Sequence, residues 1–588
     1  MKFDEHILRN PEIFQQNRLP SHSDHVPYSF LGEMAEKRSS FCMPLNGLWY
    51  FSYARNPDSA VSGFEAEGFS CRGWEQIRVP AHIQMEGYDA PHYTNAAYPW
   101  DGKEEVRPGE IPEEFNPTAS YVKYFQVPEH MSGQRIFISF QGVESGFALW
   151  LNGHYVGYSE NSFDPAEFEL TPYIKDGENK LAVRVWKWTS GSWCEDQDFF
   201  RFSGIYRDVY LYTIPSVHIW DLKVESDLCG KDGKLNIRLR TSGAGRVAWV
   251  LTKQPPIMSM KSDYNMPTGE KIAEGSLNLT GDTANGTDCW DLPETVPECI
   301  YAECPVETGL ISEIISDVQP WSAEEPKLYL LTLEVFDSEG RMEEVVSQNV
   351  GFRHFEMKDG LMLLNGRRIV FKGVNRHEFS SVTGRPPNRQ DALRDIETMK
   401  RNNINAIRTS HYPNDRWLYE LCDVYGIYLI AENNLESHGT FDAAVRGLES
   451  DDYVVPGSHR QWLAMMLDRV NSCYQRDKNH PAILIWSCGN ESRGGSVIYE
   501  MSKAFHRLDG GRLVHYEGIL HDRTYNDTSD MESQMYPSVR SIRTFLSEHP
   551  GKPFICCEYS HAMGNSSGGM HKYTDLADEE PHYQGGFI

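Results

Sequence analysis

The feature that most constrains the fold is an alternation of short apolar runs and helical patterns after Phe352. Repeats of this kind build a parallel sheet, and their number here is typical of a (β/α)8 TIM barrel. Gly585 to Ile588 are predicted to begin an eighth strand, so a barrel over 354–588 is expected to be incomplete. The predicted helices are 389–402, 414–425, 458–478, 495–509 and 538–548, and the seven strands read IVFKGVN, INAIRTSH, IYLIAENN, ILIWSCGN, LVHYEG, DMESQMY and PFICCEYSH.

Residues 46–353 carry strand and turn signals instead. Short runs rich in aromatic and β-branched residues over 46–216, with a hairpin signal at Asn152-Gly153, predict a β-sandwich. A second all-β unit over 217–353 is typical of an immunoglobulin-like β-sandwich, and 253–326 is predicted to be loop-rich with weak strands. We predict that residues 1–45 form an extended arm on the other domains. The alternative is that His22 and His25 bind a metal ion, but no third ligand stands near them at metal spacing.

Charge and cysteine content exclude several classes of protein. The 56 Lys and Arg against 84 Asp and Glu give a net charge of −28, which disfavours nucleic acid and anionic membranes as partners. A neutral substrate suits this balance better. The 12 cysteines show no CxxC pair, and no stretch has the apolar length to span a bilayer, so we expect a cytoplasmic protein.

Two carboxylates follow predicted barrel strands in the same layout. Glu558 ends the run FICCE, and Glu491 follows ILIWSCGN. Because barrel active sites form at the carboxyl ends of the strands, both acids are expected at one mouth. Two carboxyl groups are typical of a glycosidase, which uses them either as acid and nucleophile or as acid and base with a water between them. The sequence leaves that choice open.

Other strand ends carry polar side chains toward the same rim. Glu436 and His438 stand two residues apart, so an extended backbone points both to one side, where they could hold a divalent ion near Glu491. A histidine in the set suits zinc as well as magnesium. The remaining candidates at strand ends are His377, His411, Asn490, Tyr536 and His561.

Specific motifs then indicate a family. GVNRHE (373–378), RTSHYPN (408–414), NNLESHG (433–439), WSCGNES (486–492) and CEYSHAMGNS (557–566) resemble the β-galactosidases of glycoside hydrolase family two, as do RNPEIFQQNRLPSHS and DQDFFRFSGIYRDVYL upstream. The resemblance covers nearly the whole chain. It implies that the first sandwich is a sugar-binding jelly roll and that the barrel performs retaining hydrolysis of terminal β-galactosides such as lactose.

The resemblance also implies a role for each candidate residue. Glu491 would be the acid/base and Glu558 the nucleophile, while Glu436, His438 and Glu491 would hold magnesium. His377 and His411 would steady the transition state, and Tyr536 would assist the nucleophile. The implied substrate ligands are Asn116, Asp198, Asn490 and His561, and Asp198 would also bind sodium, although it and Asn116 also suit ordinary turn chemistry.

The chain departs from the family at its carboxyl end, where members continue and complete the eighth strand. We therefore expect either a piece of a longer chain or a second, complementing polypeptide, and a homo-oligomer is the other expected assembly. Two alternative functions stay open. One is a β-glucuronidase or β-mannosidase on the same scaffold, and the other is an inactive carbohydrate-binding or complementing fragment.

Overall fold

The structure is a computed structural model that describes residues 3–254, 269–281, 308–386, 388–565 and 567–588. The described chain forms two antiparallel β-sandwiches followed by a parallel barrel, which confirms the predicted fold class. Each of these three units has an apolar core of its own.

The first sandwich packs a large sheet on a small one around an apolar core that includes Trp49, Tyr121 and Phe168. Its strands are antiparallel, and alternate side chains enter the core, as the aromatic and β-branched pattern predicts. The large sheet runs in the order Gln15–Gln16, His154–Glu160, Gly146–Leu151, Glu178–Trp186, Thr118–Gln126, Gly47–Ala54 and Glu75–Val79. The small sheet contains Ala166–Glu169, Ile136–Phe140, Val209–Thr213 and Cys42–Pro44, and two short ribbons pair Phe199–Arg201 with His92–Thr94 and Gly204–Ile205 with Val143–Glu144.

The second sandwich shows a regular alternation of buried and accessible side chains along Asp232–Ser242, which is typical of a strand with one face on a core. One sheet contains His218–Cys229, Asp232–Ser242 and Gly309–Ile315, and the other Lys271–Thr280, Ala244–Lys253, Tyr329–Asp337 and Met342–Val350. The loop-rich prediction for 253–326 falls partly on 255–268 and 282–307, outside the described residues. A hairpin of Phe355–Lys358, Leu361–Leu364 and Arg367–Arg368 leads into the barrel.

The barrel strands are apolar runs buried on both faces, as in Ile483–Ser487, where all five residues are buried. In chain order the strands are Phe371–Asn375, Ala406–Arg408, Tyr428–Glu432, Ile483–Ser487, Leu513–His515, Glu532–Met535, Phe554–Glu558 and Tyr583–Phe587. The α-helices around them are Arg389–Arg401, Arg416–Tyr425, His438–Val445, Leu463–Asp477, Ser496–Leu508, Val539–Glu548 and His571–Glu579, and Leu31–Glu36 is a short helix of the arm. The sequence pattern does not predict the helices that begin at 438 and 571.

The eighth strand is more complete than the sequence indicated. Tyr583–Phe587 pairs in parallel with both the first strand and the seventh. Gly585 makes this contact possible, because its φ is +93° and a Cβ there would lie 2.1 Å from the carbonyl oxygen of Phe371. The expected opening beside the eighth strand is therefore absent from the described barrel.

The strand ladder is interrupted instead between Leu513–His515 and Glu532–Met535. The backbone N–H of Asp530 donates to the Val514 carbonyl at 2.9 Å, and the Asp530 carboxylate accepts from the Val514 N–H at 2.6 Å. These bonds bridge the seam, so the eight strands still surround one interior.

The N-terminal arm contacts all three units, and its Asp24 N–H donates to the Arg476 carbonyl of the barrel at 3.3 Å. His22 bonds Glu167 of the first sandwich at 3.0 Å, and His25 bonds the Ile219 carbonyl of the second at 2.9 Å. The other ring nitrogens bond the Ser23 carbonyl and the Ser23 hydroxyl. All four ring nitrogens of this pair are thus engaged by protein groups, which fits the arm interpretation rather than a metal site.

Nine of the cysteines are described, and each is a free thiol, including the buried Cys556 and Cys557. Within the described ranges, the structure contains no helix with the length and apolar character that crossing a membrane requires.

Candidate active site

The two predicted catalytic acids lie at the carboxyl ends of barrel strands. Glu558 is the last residue of its strand, and Glu491 follows the strand Ile483–Ser487 by four residues. Both side chains are partly accessible, at 16% and 27% of the side-chain surface. A carboxylate with one accessible edge can meet a substrate while the protein fixes its orientation.

A continuous set of hydrogen bonds joins the two acids. Arg408 donates from Nη1 to Glu558 Oε1 at 3.0 Å and from Nη2 to Asn490 Oδ1 at 2.8 Å. The Asn490 amide in turn donates to Glu491 Oε2 at 3.5 Å. The two acids therefore share one mouth, connected through a single arginine and a single amide.

Arg408 forms an ion pair with Glu432, and both side chains are fully buried. Its Nε donates to Glu432 Oε2 at 2.7 Å, and His411 Nδ1 lies 2.7 Å from Glu432 Oε1. Burial alone would raise the pKa of Glu432, but Arg408 and His411 outweigh it and lower that pKa to about 2. Glu432 is therefore ionised at neutral pH and fixes Arg408 in contact with Glu558, the nucleophile candidate.

Tyr536 caps the other side of Glu558. Its hydroxyl donates to Glu558 Oε2 at 2.6 Å, and its backbone N–H donates to the Glu558 carbonyl at 2.8 Å. Partial burial and the neighbouring carboxylate raise the pKa of this phenol, so it keeps its proton. Each Glu558 oxygen thus accepts a hydrogen bond from a different donor.

Two histidines stand beside this group. His411 Nε2 lies 3.7 Å from Glu558 Oε1, and the ring of His377 is 5.5 Å from that of His411. His377 is exposed, with Nδ1 at 3.3 Å from the Tyr412 hydroxyl. The structure therefore brings both predicted histidines to the rim near the nucleophile candidate.

The three predicted metal ligands converge beside Glu491. Ligand atoms of Glu436, His438 and Glu491 all lie within 4.8 Å of one another. Glu436 is fully buried, and its Oε1 has no hydrogen-bond partner among the described residues, while Oε2 accepts from Asn490 at 2.9 Å. His438 Nδ1 lies 2.9 Å from Glu491 Oε2 without an aligned hydrogen bond.

The charges of this trio are unbalanced. Burial and the neighbouring Glu491 raise the pKa of Glu436 well above its ordinary value. Burial would also raise the pKa of Glu491, but His438 outweighs it and lowers that pKa. A buried carboxylate with an unpaired oxygen is uncommon. A divalent cation at this point would bind the unpaired Glu436 oxygen and balance the charges of Glu436 and Glu491. The donor set of two carboxylates and one imidazole fits a small divalent metal.

A loop of the first sandwich reaches into the barrel at the predicted metal ligands. The Asp196 N–H donates to the Glu436 carbonyl at 3.0 Å, and the Asp196 carboxylate accepts from the Gly439 N–H at 2.9 Å. Burial raises the pKa of Asp196 to about 6, although Arg201 at 2.7 Å opposes this. The sequence interpretation missed Asp196 as a positioning residue. It also missed Arg408 and Glu432.

The other predicted substrate ligands occupy different environments. Both polar atoms of the Asn116 side chain bond the backbone of Trp188, at 3.0 and 2.9 Å. Asp198 is half-buried and accepts from the Tyr93 hydroxyl, and His561 is exposed. Asn490 is buried between Arg408 and Glu436. Roles for these four residues in binding substrate stay predictions.

Three family models match this chain. Residues 42–215 match the sugar binding domain of glycosyl hydrolases family 2, and 355–588 match the TIM barrel domain of that family. Residues 263–353 match a further model described as glycosyl hydrolases family 2.

Similar proteins carry consistent names. A protein named β-galactosidase from Halalkalibacterium halodurans is 49% identical over 583 residues, which are 99% of this chain and 54% of that protein. A β-galactosidase from Clostridium acetobutylicum is 46% identical over 99% of this chain and 61% of its own length. The chain thus spans little more than half of these relatives. It covers 89% of a protein named β-galactosidase large subunit from Latilactobacillus sakei, at 42% identity.

Solved structures show the same fold at lower identity. A β-glucuronidase from Ruminococcus gnavus superimposes with a TM-score of 0.70 at 17% identity, covering 96% of this chain and 92% of that one. At this identity the likeness shows the fold alone. The large-subunit relative is far more similar in sequence, so together with the family models it shows that the chain belongs to glycosyl hydrolase family 2.

Proposed function

We propose that this chain carries the catalytic site of a retaining β-galactosidase, which hydrolyses terminal non-reducing β-D-galactose from β-galactosides such as lactose. The observation that carries the proposal is the hydrogen-bonded connection from Glu558 through Arg408 and Asn490 to Glu491 at the barrel mouth. The names of similar relatives support galactose as the sugar. The retaining outcome rests on the family resemblance.

The proposed reaction has two steps. Glu558 attacks the anomeric carbon and forms a covalent galactosyl ester, while Glu491 gives a proton to the departing glycosidic oxygen. Glu491 then takes a proton from water, which attacks the same carbon and releases Glu558 and galactose. Arg408 and Tyr536 hold the two Glu558 oxygens in place between the steps.

Further residues are assigned to the sugar. We assign His377 and His411 to the developing charge of the transition state, because both stand at the rim near Glu558. Asn490 is fixed by Arg408 and Glu436, and this rigidity favours a positioned contact with a sugar hydroxyl. Asp198 is proposed as a galactose ligand and as part of a sodium site, and Asn116 and His561 as further sugar ligands.

Magnesium is the proposed metal of the Glu436, His438 and Glu491 trio, with the unpaired Glu436 oxygen as support. A bound divalent cation would neutralise the two close carboxylates and relieve the repulsion between them. Glu436 and His438 then act by orienting Glu491 toward the leaving group.

The metal proposal predicts that His438→Ala weakens Mg²⁺ binding by about 10-fold to 100-fold, because one ligand and the ion pair to Glu491 are lost together. Calorimetric titration with Mg²⁺ of protein freed of metal by EDTA measures this affinity. In a matched rate assay, EDTA should slow the wild-type enzyme without unfolding it. His354→Ala is the control, since that histidine pairs with Asp227 outside the trio. Equal Mg²⁺ affinity in wild type and His438→Ala would rule out the proposed ligand set.

A second polypeptide is the proposed partner. Three relatives of which this chain covers 89% are named β-galactosidase large subunit, and that name supports a complementing smaller chain. Assembly into a homo-oligomer and a cytoplasmic location stay predictions.

The proposed activity is tested by comparing nitrophenyl β-galactoside with nitrophenyl β-glucuronide, with the chain alone and with a complementing polypeptide. We expect hydrolysis of the galactoside at least about 100-fold faster, because a site built for one hydroxyl pattern leaves buried polar groups unpaired with another sugar. Faster hydrolysis of the glucuronide would identify the enzyme as a β-glucuronidase instead. Galactose binding without hydrolysis under either condition would identify a binding fragment.

A further inference from the structure

A cavity of about 290 Å³ lies where the N-terminal arm, both sandwiches and the barrel meet. None of the residues assigned to the reaction lines it. All four parts of the chain contribute to its wall, and representative residues are His22, Glu167, Trp220 and Arg416. Its volume is close to the lower end of the ~300–1,000 Å³ that ligand pockets span.

Most charged groups in this wall are already paired. His22 Nε2 lies 3.0 Å from Glu167 Oε2, which also accepts from the Tyr212 hydroxyl at 2.6 Å. Burial would lower the pKa of His22, but Glu167 outweighs it and raises that pKa to about 9. Arg476 pairs with Asp477 at 2.6 Å. These groups neutralise one another and leave no charge for a ligand.

Arg416 differs from them. Its guanidinium lies 5.6 Å from the centre of the Trp417 ring and, within the described ranges, forms no hydrogen bond and no ion pair. It also lines a neighbouring cavity of about 180 Å³. A guanidinium has five N–H donors in a planar fork, so this side chain offers unused donors between two cavities.

The acids around Arg416 have partners of their own. Asp24 lies 3.4 Å from His480, and Glu420 lies 3.8 Å from Lys37. Asp415 accepts from the Trp417 N–H at 3.1 Å as the N-cap of its helix. The negative charges of these acids reduce the positive electrostatic potential around Arg416, but they do not accept hydrogen bonds from its N–H groups.

The rest of the wall is largely apolar. Tyr210 and Trp220 supply aromatic faces, and four prolines, Pro20, Pro27, Pro44 and Pro165, complete it. A carboxylate matches the fork of an arginine, and an apolar body matches aromatic and proline surfaces. An inorganic anion would leave these surfaces uncovered.

We propose that this junction cavity binds a small carboxylic acid with an aromatic or aliphatic body, and that Arg416 holds its carboxylate. Because the arm, both sandwiches and the barrel all line the cavity, the ligand binds only their assembled arrangement. Such a ligand stabilises the folded protein in proportion to its occupancy.

Calorimetric titration of the full chain with benzoate tests this proposal. We expect saturable binding that excess galactose leaves unchanged, because the cavity is separate from the barrel mouth. Benzamide, which has the same shape without the charge, should bind at least about tenfold more weakly. Inorganic phosphate should bind more weakly than benzoate as well, since it cannot cover the apolar wall.

Arg416→Gln should weaken benzoate binding by about tenfold or more, whereas Arg394→Gln, on an exposed side chain of the preceding helix, should leave it unchanged. Thermal melting without ligand checks that both variants fold, and the benzoate and benzamide comparison on the wild-type protein does not depend on them. The proposal is overturned by an absence of saturable benzoate binding, by displacement with galactose, or by equal affinity in Arg416→Gln.

Discussion

Glu558→Gln is expected to lower kcat by roughly 10⁴-fold or more while galactose binding persists. The amide keeps the size of the side chain, and its oxygen can still accept from Arg408 while its NH₂ group faces the Tyr536 hydroxyl oxygen, to which it can donate. It cannot form the galactosyl ester, because a neutral amide is a far weaker nucleophile. Measurement of kcat and of galactose affinity by calorimetry separates the two effects.

Glu579→Gln is the matched control, because Glu579 is an exposed acid on the last barrel helix whose ion pair with Arg543 lies at the surface. We expect kcat and galactose affinity of this variant to equal those of the wild type. Wild-type kcat in Glu558→Gln would assign the nucleophile to another group.

The small variant Glu558→Gly adds a test of stereochemistry. Removal of the side chain opens space beside Arg408 for an external nucleophile, so azide should restore turnover of an activated galactoside. The product should be the α-galactosyl azide, since the azide attacks from the face that Glu558 occupied. A β-galactosyl azide would contradict the proposed position of Glu558 on that face.

Much of the barrel was predictable because its strands are buried on both faces and are therefore continuous apolar runs. The apolar runs that precede Glu558 and Glu491 are enough, from the sequence alone, to place both acids at strand ends. Glu436 and His438 do converge, but not for the predicted reason. His438 begins a helix and Ser437 has a ψ of 42°, so the backbone between them is not the extended one that the sequence pattern assumed.

Arg408 and Glu432 were missed for a physical reason. The spacing of apolar residues indicates which positions are buried. A charged residue beside an apolar run is therefore interpreted as the accessible end of the strand. A buried arginine and a buried glutamate are rare unless they pair, and only the structure shows that these two meet. The available signal was an arginine within the second barrel strand and an acid ending the third.

The role of Asp196 could not be predicted either. Its contact with Glu436 joins residues 240 positions apart and crosses from the first sandwich to the barrel. Sequence patterns describe each unit separately, so the cluster Glu195 to Asp198 looked like turn chemistry. The packing of the two units brings the Asp196 backbone to Glu436, one of the predicted metal ligands.

Arg408→Met is expected to lower the free energy of unfolding by about 3–5 kcal/mol, because it leaves the buried Glu432 without its cation. It should also reduce kcat by about 10²- to 10³-fold, since a donor to Glu558 and the link to Asn490 are lost. Thermal unfolding and steady-state rates measure the two effects. Arg394→Met removes an exposed arginine paired with Asp391 and should change neither.

The stability loss should depend on pH in a definite direction. In the wild type the folded pKa of Glu432 is about 2, below its ordinary value of 4.5, so its contribution is present above pH 4.5 and is lost as pH falls through 2. Without Arg408, burial dominates and the folded pKa rises above the unfolded value. Arg408→Met should then lose stability as pH rises, and its deficit against the wild type should be larger at about pH 7 than at about pH 5.

The double variant Arg408→Met/Glu432→Gln separates an uncompensated charge from lost packing. If the charge of Glu432 causes the deficit, its neutral amide should restore part of the stability at about pH 7 and remove the added pH dependence. The rate should stay low, because Glu558 and Asn490 still lack their common donor. A double variant as unstable as Arg408→Met at both pH values would show that packing around the guanidinium, rather than the ion pair, holds this part of the barrel together.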